Sequence, residues 1–164
     1  MTMSFLKTLV FSVLVPGTFL IVIPRRLLGV GAQAALPFGL IGIVLIVLGA
    51  AGYLWCAWDF ASTGQGTPAP IDPPKVLVAG RLYRVVRNPM YLSVLLILVG
   101  ESVFFASATL LWYALLAWVI IHLFVVFYEE PTLRRKFGTA YEPYCRRVSR
   151  WVPRPSNFYK NLSP

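Results

Sequence analysis

The sequence predicts an all-α, polytopic membrane protein of about four transmembrane helices, with a C-terminal surface helix on the cytoplasmic side. Three observations carry this. Of the 164 residues, 58% are hydrophobic and 13% are charged, against about half and about a quarter in soluble domains. The apolar residues gather in four runs, 5–23, 37–58, 90–105 and 110–128, each near the length a bilayer requires. The basic residues behind the net charge of +9 border those runs, which points to a membrane surface and away from nucleic acid. The length suits one membrane domain, 1–164, and no more.

The first run is apolar apart from Lys7, Thr8, Ser12 and Thr18, and Pro16-Gly17 interrupts it. A kink and a helix break are both open there, because neighbouring helices can satisfy a freed carbonyl. Splitting the run into two spans is excluded, since each half is too short to cross. No small-x-small cleavage site comes after it, so it reads as a retained span rather than a signal peptide. Arg25 and Arg26 close it, and residues 29–36 form a short connection. Gly29-Val30-Gly31 imitates a dinucleotide-binding glycine pattern, but that motif needs a preceding strand and a soluble helix. Both neighbours here are membrane runs.

The second run carries Gly39, Gly42, Gly49 and Gly52. Small residues permit close helix approach where lipid offers no hydrophobic drive. Trp55 and Trp58 suit the interfacial belt, and Asp59 ends the span. Residues 61–74 are rich in Gly, Pro and Thr, which is loop chemistry. The third run is short, residues 106–109 form a compact turn, and the fourth run is the second arm of a helical hairpin. Lys7, the loop between the second and third runs (Lys75, Arg81, Arg84, Arg87) and the tail share one side in this arrangement, against Arg25 and Arg26 on the other. The positive-inside rule then puts both termini in the cytoplasm.

The densest chemistry lies in Gly80-Arg-Leu-Tyr-Arg-Val-Val-Arg-Asn-Pro-Met-Tyr91. Arg81, Arg84 and Arg87 recur every three residues, so a helical turn would project them to one side. Pro89 suits a first helical turn, where its missing N–H has no partner to lose. Guanidinium groups beside a helix start favour an anionic ligand. A flank that merely fixes topology is the competing reading. Glu129 and Glu130 end the fourth run, and His122 lies seven residues before Glu129, nearly on the same face. Ionisable groups at that depth are functional candidates by default. A neutral imidazole bonded to a neighbouring helix, and glutamates paired with Arg134, are the structural alternatives. Glu101 suits interhelical bonding or snorkelling. In the tail, Tyr141, Tyr144 and Arg147 form a stripe that could rest on lipid headgroups or cover a cytoplasmic pocket, with anchoring the safer reading for each. Cys56 and Cys145 read as free thiols, and no metal-ligand spacing is present.

Three blocks together resemble the membrane-embedded isoprenylcysteine carboxyl methyltransferase and phospholipid methyltransferase superfamily. They are Leu77-Val-Ala-Gly-Arg-Leu-Tyr83, Arg87-Asn-Pro-Met-Tyr91, and Glu129-Glu130 followed by Phe137-Gly138, Tyr141 and Tyr144. The resemblance implies a cytoplasm-facing S-adenosylmethionine pocket in the half spanning residues 75–154. Carried over position by position, Lys75, Val76, Leu77, Val78, Tyr83, Asn88, Pro89, Met90, Tyr91 and Glu129 would bind the cofactor. Asn88 stands for the usual histidine and Ser93 for a glycine. Val125 replaces the arginine of the prenylcysteine enzymes, which speaks against that substrate in particular. Arg87 would orient an anionic group, and Asn88 cannot act as a base. Glu130, His122 or water would then take the acceptor's proton. The implied acceptor is lipid-like or small and apolar: a prenylated carboxylate, a phospholipid amine or a thiol. The rival class is a non-catalytic membrane scaffold with a basic, lipid-binding tail. The sequence assigns no oligomeric state.

Overall fold

A computed structural model describes residues 14–29, 38–60, 62, 77 and 79–154. The connection at 30–37, most of the 61–78 loop and the start of the first run lie outside the described residues.

The described chain is helical. A π-helical stretch, Thr18–Val22, leads into α1, Ile23–Leu28, and Gly29 ends it at a φ of +74°, a conformation that suits glycine. Pro16-Gly17 does not break this helix: Gly17 is right-handed and helical, and Thr18 Oγ1 donates to the Leu14 carbonyl at 2.6 Å. Arg25 and Arg26 sit in the last turn of α1 rather than ending it. Next come α2, Gly39–Asp59, a 3₁₀ turn at Arg81–Arg84, and α3, Pro89–Phe104, which opens on its proline. Helix α4, Ala108–Phe124, comes after a three-residue turn, and the Ser107 hydroxyl caps it by accepting from the Leu110 N–H at 3.3 Å. A second π-helical stretch, Val125–Glu129, carries the chain into α5, Glu130–Phe137. A 3₁₀ turn, Gly138–Ala140, then leads to α6, Tyr141–Arg147.

Among the described residues, two helices are long and apolar enough to cross a membrane: α2, and the continuous run Ala108–Arg147. Only 17% and 22% of their apolar windows are buried inside the protein, so these helices are not the core of a soluble domain. Side chains such as Leu40, Trp112 and Leu116 face outward, as a lipid-facing surface requires. Helix α3 has 16 residues, about 24 Å at 1.5 Å per residue, shorter than the roughly 30 Å hydrocarbon core. Length therefore supports two of the four expected spans.

Helices α2 and α3 are packed nearly backbone to backbone. A Cβ at Gly42 would lie 2.7 Å from Phe104 N, and one at Gly49 would lie 2.7 Å from the Ser93 carbonyl oxygen. The small residues of the second run thus serve the close approach their spacing predicts. Leu98, Ala114 and Ala117 seat α3 against α4, with Leu20 of the first helix packed on them.

The tail returns to the junction before α3. Val86 and Ser149 form an isolated parallel bridge, and the Arg87 N–H donates to the Ser149 carbonyl at 2.8 Å.

Candidate functional site

The three junction arginines diverge. Arg81 turns back to Asp59 at the end of α2, Nη1 to Oδ1 2.6 Å, and Arg84 is exposed. Arg87, past the 3₁₀ turn, points at the tail: Nη1 lies 3.2 Å from Glu130 Oε1 and donates to Cys145 Sγ at 2.9 Å. A shared face for the three fails because the turn ends at Arg84 and Val86 is already paired with Ser149.

Glu130 is gripped more tightly still by Arg150, whose Nε and Nη2 donate to Oε1 and Oε2 at 2.7 and 2.9 Å. Burial works against its charge, yet the Arg150 bonds and the Arg87 and Arg150 charges prevail and hold this carboxyl below the ordinary glutamate range. The pairing of Glu130 with Arg134 anticipated from spacing is not what forms, because Arg134 bonds Glu142 instead. Glu129 faces the other way, where the Tyr91 hydroxyl donates to its Oε2 at 2.8 Å.

His122 does not join Glu129. Its Nδ1 accepts the Trp151 indole N–H at 3.0 Å, and its ring stacks on Trp118. The intervening π-helical stretch explains the separation. One extra residue in a turn rotates the rest of the helix by roughly 100°, so a seven-residue spacing no longer shares a face.

A cavity of about 390 Å³ lies between the first helix and α2, α3 and α4. Its apolar wall includes Val15, Phe19, Ile120, Ile121 and Phe124; its polar end is Arg87, Asn88, Tyr91 and Glu129, with Tyr53, Phe60, Tyr83 and Met90 beside them. Of the residues named from sequence, Arg87, Tyr83, Asn88, Met90, Tyr91 and Glu129 line it. Pro89 is buried at the start of α3 and Leu77 is half-buried, both off the lining, as are Glu130 and His122. Lys75, Val76 and Val78 lie outside the described residues.

The tail builds this site rather than lying apart from it. Tyr141 is buried, and the Tyr144 hydroxyl donates to the Tyr83 carbonyl at 2.8 Å. Asn88 Nδ2 donates to the Arg150 carbonyl at 3.2 Å. Anchoring on headgroups is therefore not the role of these two tyrosines; only Arg147 of the stripe is exposed. Sequence reasoning missed Arg150, Tyr53 of α2 and Phe60 just past its end. Arg150 is one of several tail arginines, and spacing alone does not reveal which of them folds inward.

The cavity can accommodate an elongated ligand with a polar end: its volume falls within the roughly 300–1,000 Å³ of small-molecule sites. Arg87 Nε is buried without a hydrogen-bond partner among the described residues, a donor that a ligand's oxygen would satisfy.

No solved structure matches the chain. An uncharacterised protein of Haemophilus influenzae is 36% identical over 64 residues, which is 38% of this chain and the whole of that protein. Residues 38–140, more than half of the chain, match the phospholipid methyltransferase family. That stretch runs from α2 through the junction, α3 and α4 to the start of the tail, so it contains the whole of the cavity's polar end. The chain belongs to the phospholipid methyltransferase family.

Proposed function

We propose that this protein is an integral membrane methyltransferase that uses S-adenosylmethionine and methylates a lipid-like or small apolar acceptor. The observation that carries the reading is the coincidence of the family match with one cavity that is polar at the Tyr91–Glu129 end and apolar elsewhere.

The residues present fit the cofactor. Glu129 supplies a carboxylate for an ammonium group or ribose hydroxyls. The unpartnered Nε of Arg87 supplies a donor for a carboxylate. Tyr83, Tyr91 and Phe60 offer ring faces and edges to a nucleobase. When bound, the cofactor supplies a methyl group on a sulfonium centre, open to in-line displacement.

The chain's own part is then alignment and exclusion of water. Tyr91 fixes the rotamer of Glu129 through its 2.8 Å bond. Glu130, itself fixed by Arg150, holds Arg87 from behind, so that its remaining edge is presented in one orientation. Alignment of this kind can supply much of the barrier reduction in a displacement. Glu130 serves in this reading as the counter-charge of Arg87 and not as a base, because two guanidinium groups already occupy its oxygens. His122 is likewise committed to Trp151. An acceptor proton is left to Glu129 or to water. The apolar wall, formed by helices whose other sides face outward, suits an acceptor with a hydrocarbon body. The lysine and arginine bias puts the polar end and the tail on the cytoplasmic side.

The test is transfer of a labelled methyl group from S-adenosylmethionine into a total lipid and metabolite extract by the purified protein. A labelled product that disappears with Glu129→Ala is the expected result. No labelled product, together with salt-sensitive vesicle binding, favours a lipid-binding scaffold.

A further inference from the structure

Asp59 closes α2 in a position that stability alone does not explain. Its side chain is 3% exposed, it lies at the negative end of a helix dipole, and its Oδ2 is buried with no hydrogen-bond partner among the described residues. Its partner Arg81 adopts a φ of +49°, a left-handed conformation that non-glycine residues rarely take. With Asp59 buried and the Arg81 side chain 53% exposed, the pair is weak evidence for a stabilising role. Stored strain of this kind concentrates at functional sites.

What the pair holds is the wall of the cavity. Arg81 opens the 3₁₀ turn whose third residue, Tyr83, lines the cavity beside Phe60, the residue after Asp59. The Phe60 and Tyr83 rings meet edge to face with centroids 5.7 Å apart, and Tyr83 packs in one buried cluster with Cys56, one turn back on α2. From the opposite side the Tyr144 hydroxyl takes hold of the Tyr83 carbonyl. Remove the Asp59–Arg81 pair, and the turn keeps its tail contact and loses its charged tie to α2.

We propose that Asp59 and Arg81 are positioning residues for the methyl-donor pocket: their ion pair fixes the Tyr83 turn against α2 and so sets the affinity for the nucleoside end of the cofactor. This rests on the proposed function. It predicts a split in which the pair governs ligand affinity while contributing little to the stability of the ligand-free protein.

The experiment is a calorimetric titration of the full-length protein in detergent with S-adenosylhomocysteine, alongside thermal melting of the same ligand-free samples. The variants are Asp59→Asn, Arg81→Gly and Arg81→Lys. Asp59→Asn removes the buried charge. Arg81→Gly relaxes the backbone but deletes the pair, and so separates strain from tethering. Expected are affinity losses on the order of tenfold to a hundredfold for Asp59→Asn and Arg81→Gly. Arg81→Lys, which keeps the charge, should stay nearest the wild type, and melting temperatures should remain close to one another. Wild-type affinity in Asp59→Asn and Arg81→Gly would overturn the proposal. So would a melting temperature that collapses in step with affinity, since the pair would then be merely structural. A wild-type protein that binds no S-adenosylhomocysteine would overturn the reading of the cavity itself, and this inference with it.

Discussion

Arg150 holds both carboxylate oxygens of Glu130, at 2.7 and 2.9 Å, across twenty residues of chain. This fork links the end of the last apolar helix to the segment that pairs with Val86 and Arg87, and it holds the tail behind the polar end of the cavity. Losing it should unseat the tail. Arg150→Ala leaves Glu130 with Arg87 as its remaining charged partner, and should destabilise the protein by about 2 kcal/mol. Thermal melting in detergent measures this, and an unchanged midpoint would count against the tail's structural role.

The same carboxyl gives a pH dependence of definite sign. Its folded-state pKa is depressed below the ordinary value of 4.5. The stabilisation is therefore present above that value and lost as pH falls through the folded-state pKa. Melting midpoints should drop as pH is lowered from about 6 towards 3, and Glu130→Gln should be less stable at neutral pH with a flatter acid limb. A parallel acid limb in the variant would assign the effect to other groups.

Tyr91→Phe deletes the donor that fixes Glu129 while leaving the ring in the cavity wall. A hydrogen bond to a charged group contributes about 1.5–3 kcal/mol. Binding of S-adenosylhomocysteine should weaken by roughly tenfold or more, since every 1.4 kcal/mol is tenfold. Equal affinity for the variant and the wild type would show that Tyr91 does not position Glu129 for the ligand.

Gly49→Ala tests the packing beneath the site. The added Cβ would meet the Ser93 carbonyl oxygen at 2.7 Å and the Ile97 side chain at 2.7 Å. Backbone on one side cannot give way as a flexible side chain can. Overpacking of this kind costs about 1–3 kcal/mol, so the melting midpoint should fall. A Gly17→Ala control, at a helical position with nothing within 4 Å of its Cβ, should hold or raise it, since alanine is the better helix residue.

The helices were largely legible in the sequence because apolar run length and the glycine spacing of α2 are local signals. Pro89 marked the start of α3, and Ser107 lies in the short turn that separates the hairpin's arms. The two π-helical stretches were not legible. Each adds one residue to a turn without a compositional mark, and the second rotates Glu129 away from His122's face. The cavity's polar end was readable from Arg87 to Tyr91 and from Glu129, since those residues sit together at membrane borders. Arg150, Tyr53 and Phe60 were not, because their roles depend on which distant segments come together. Arg81 was misjudged for the same reason: its partner Asp59 is 22 residues away, on another helix.

On the proposed function, the cavity bordered by Tyr91 and Glu129 receives the methyl donor. Equilibrium titration of the wild type and Glu129→Ala with S-adenosylmethionine tests it most directly. Saturable one-site binding that the Glu129→Ala change abolishes is the result this account predicts. Saturable binding that survives the change intact, or no binding to the folded wild type, would contradict it.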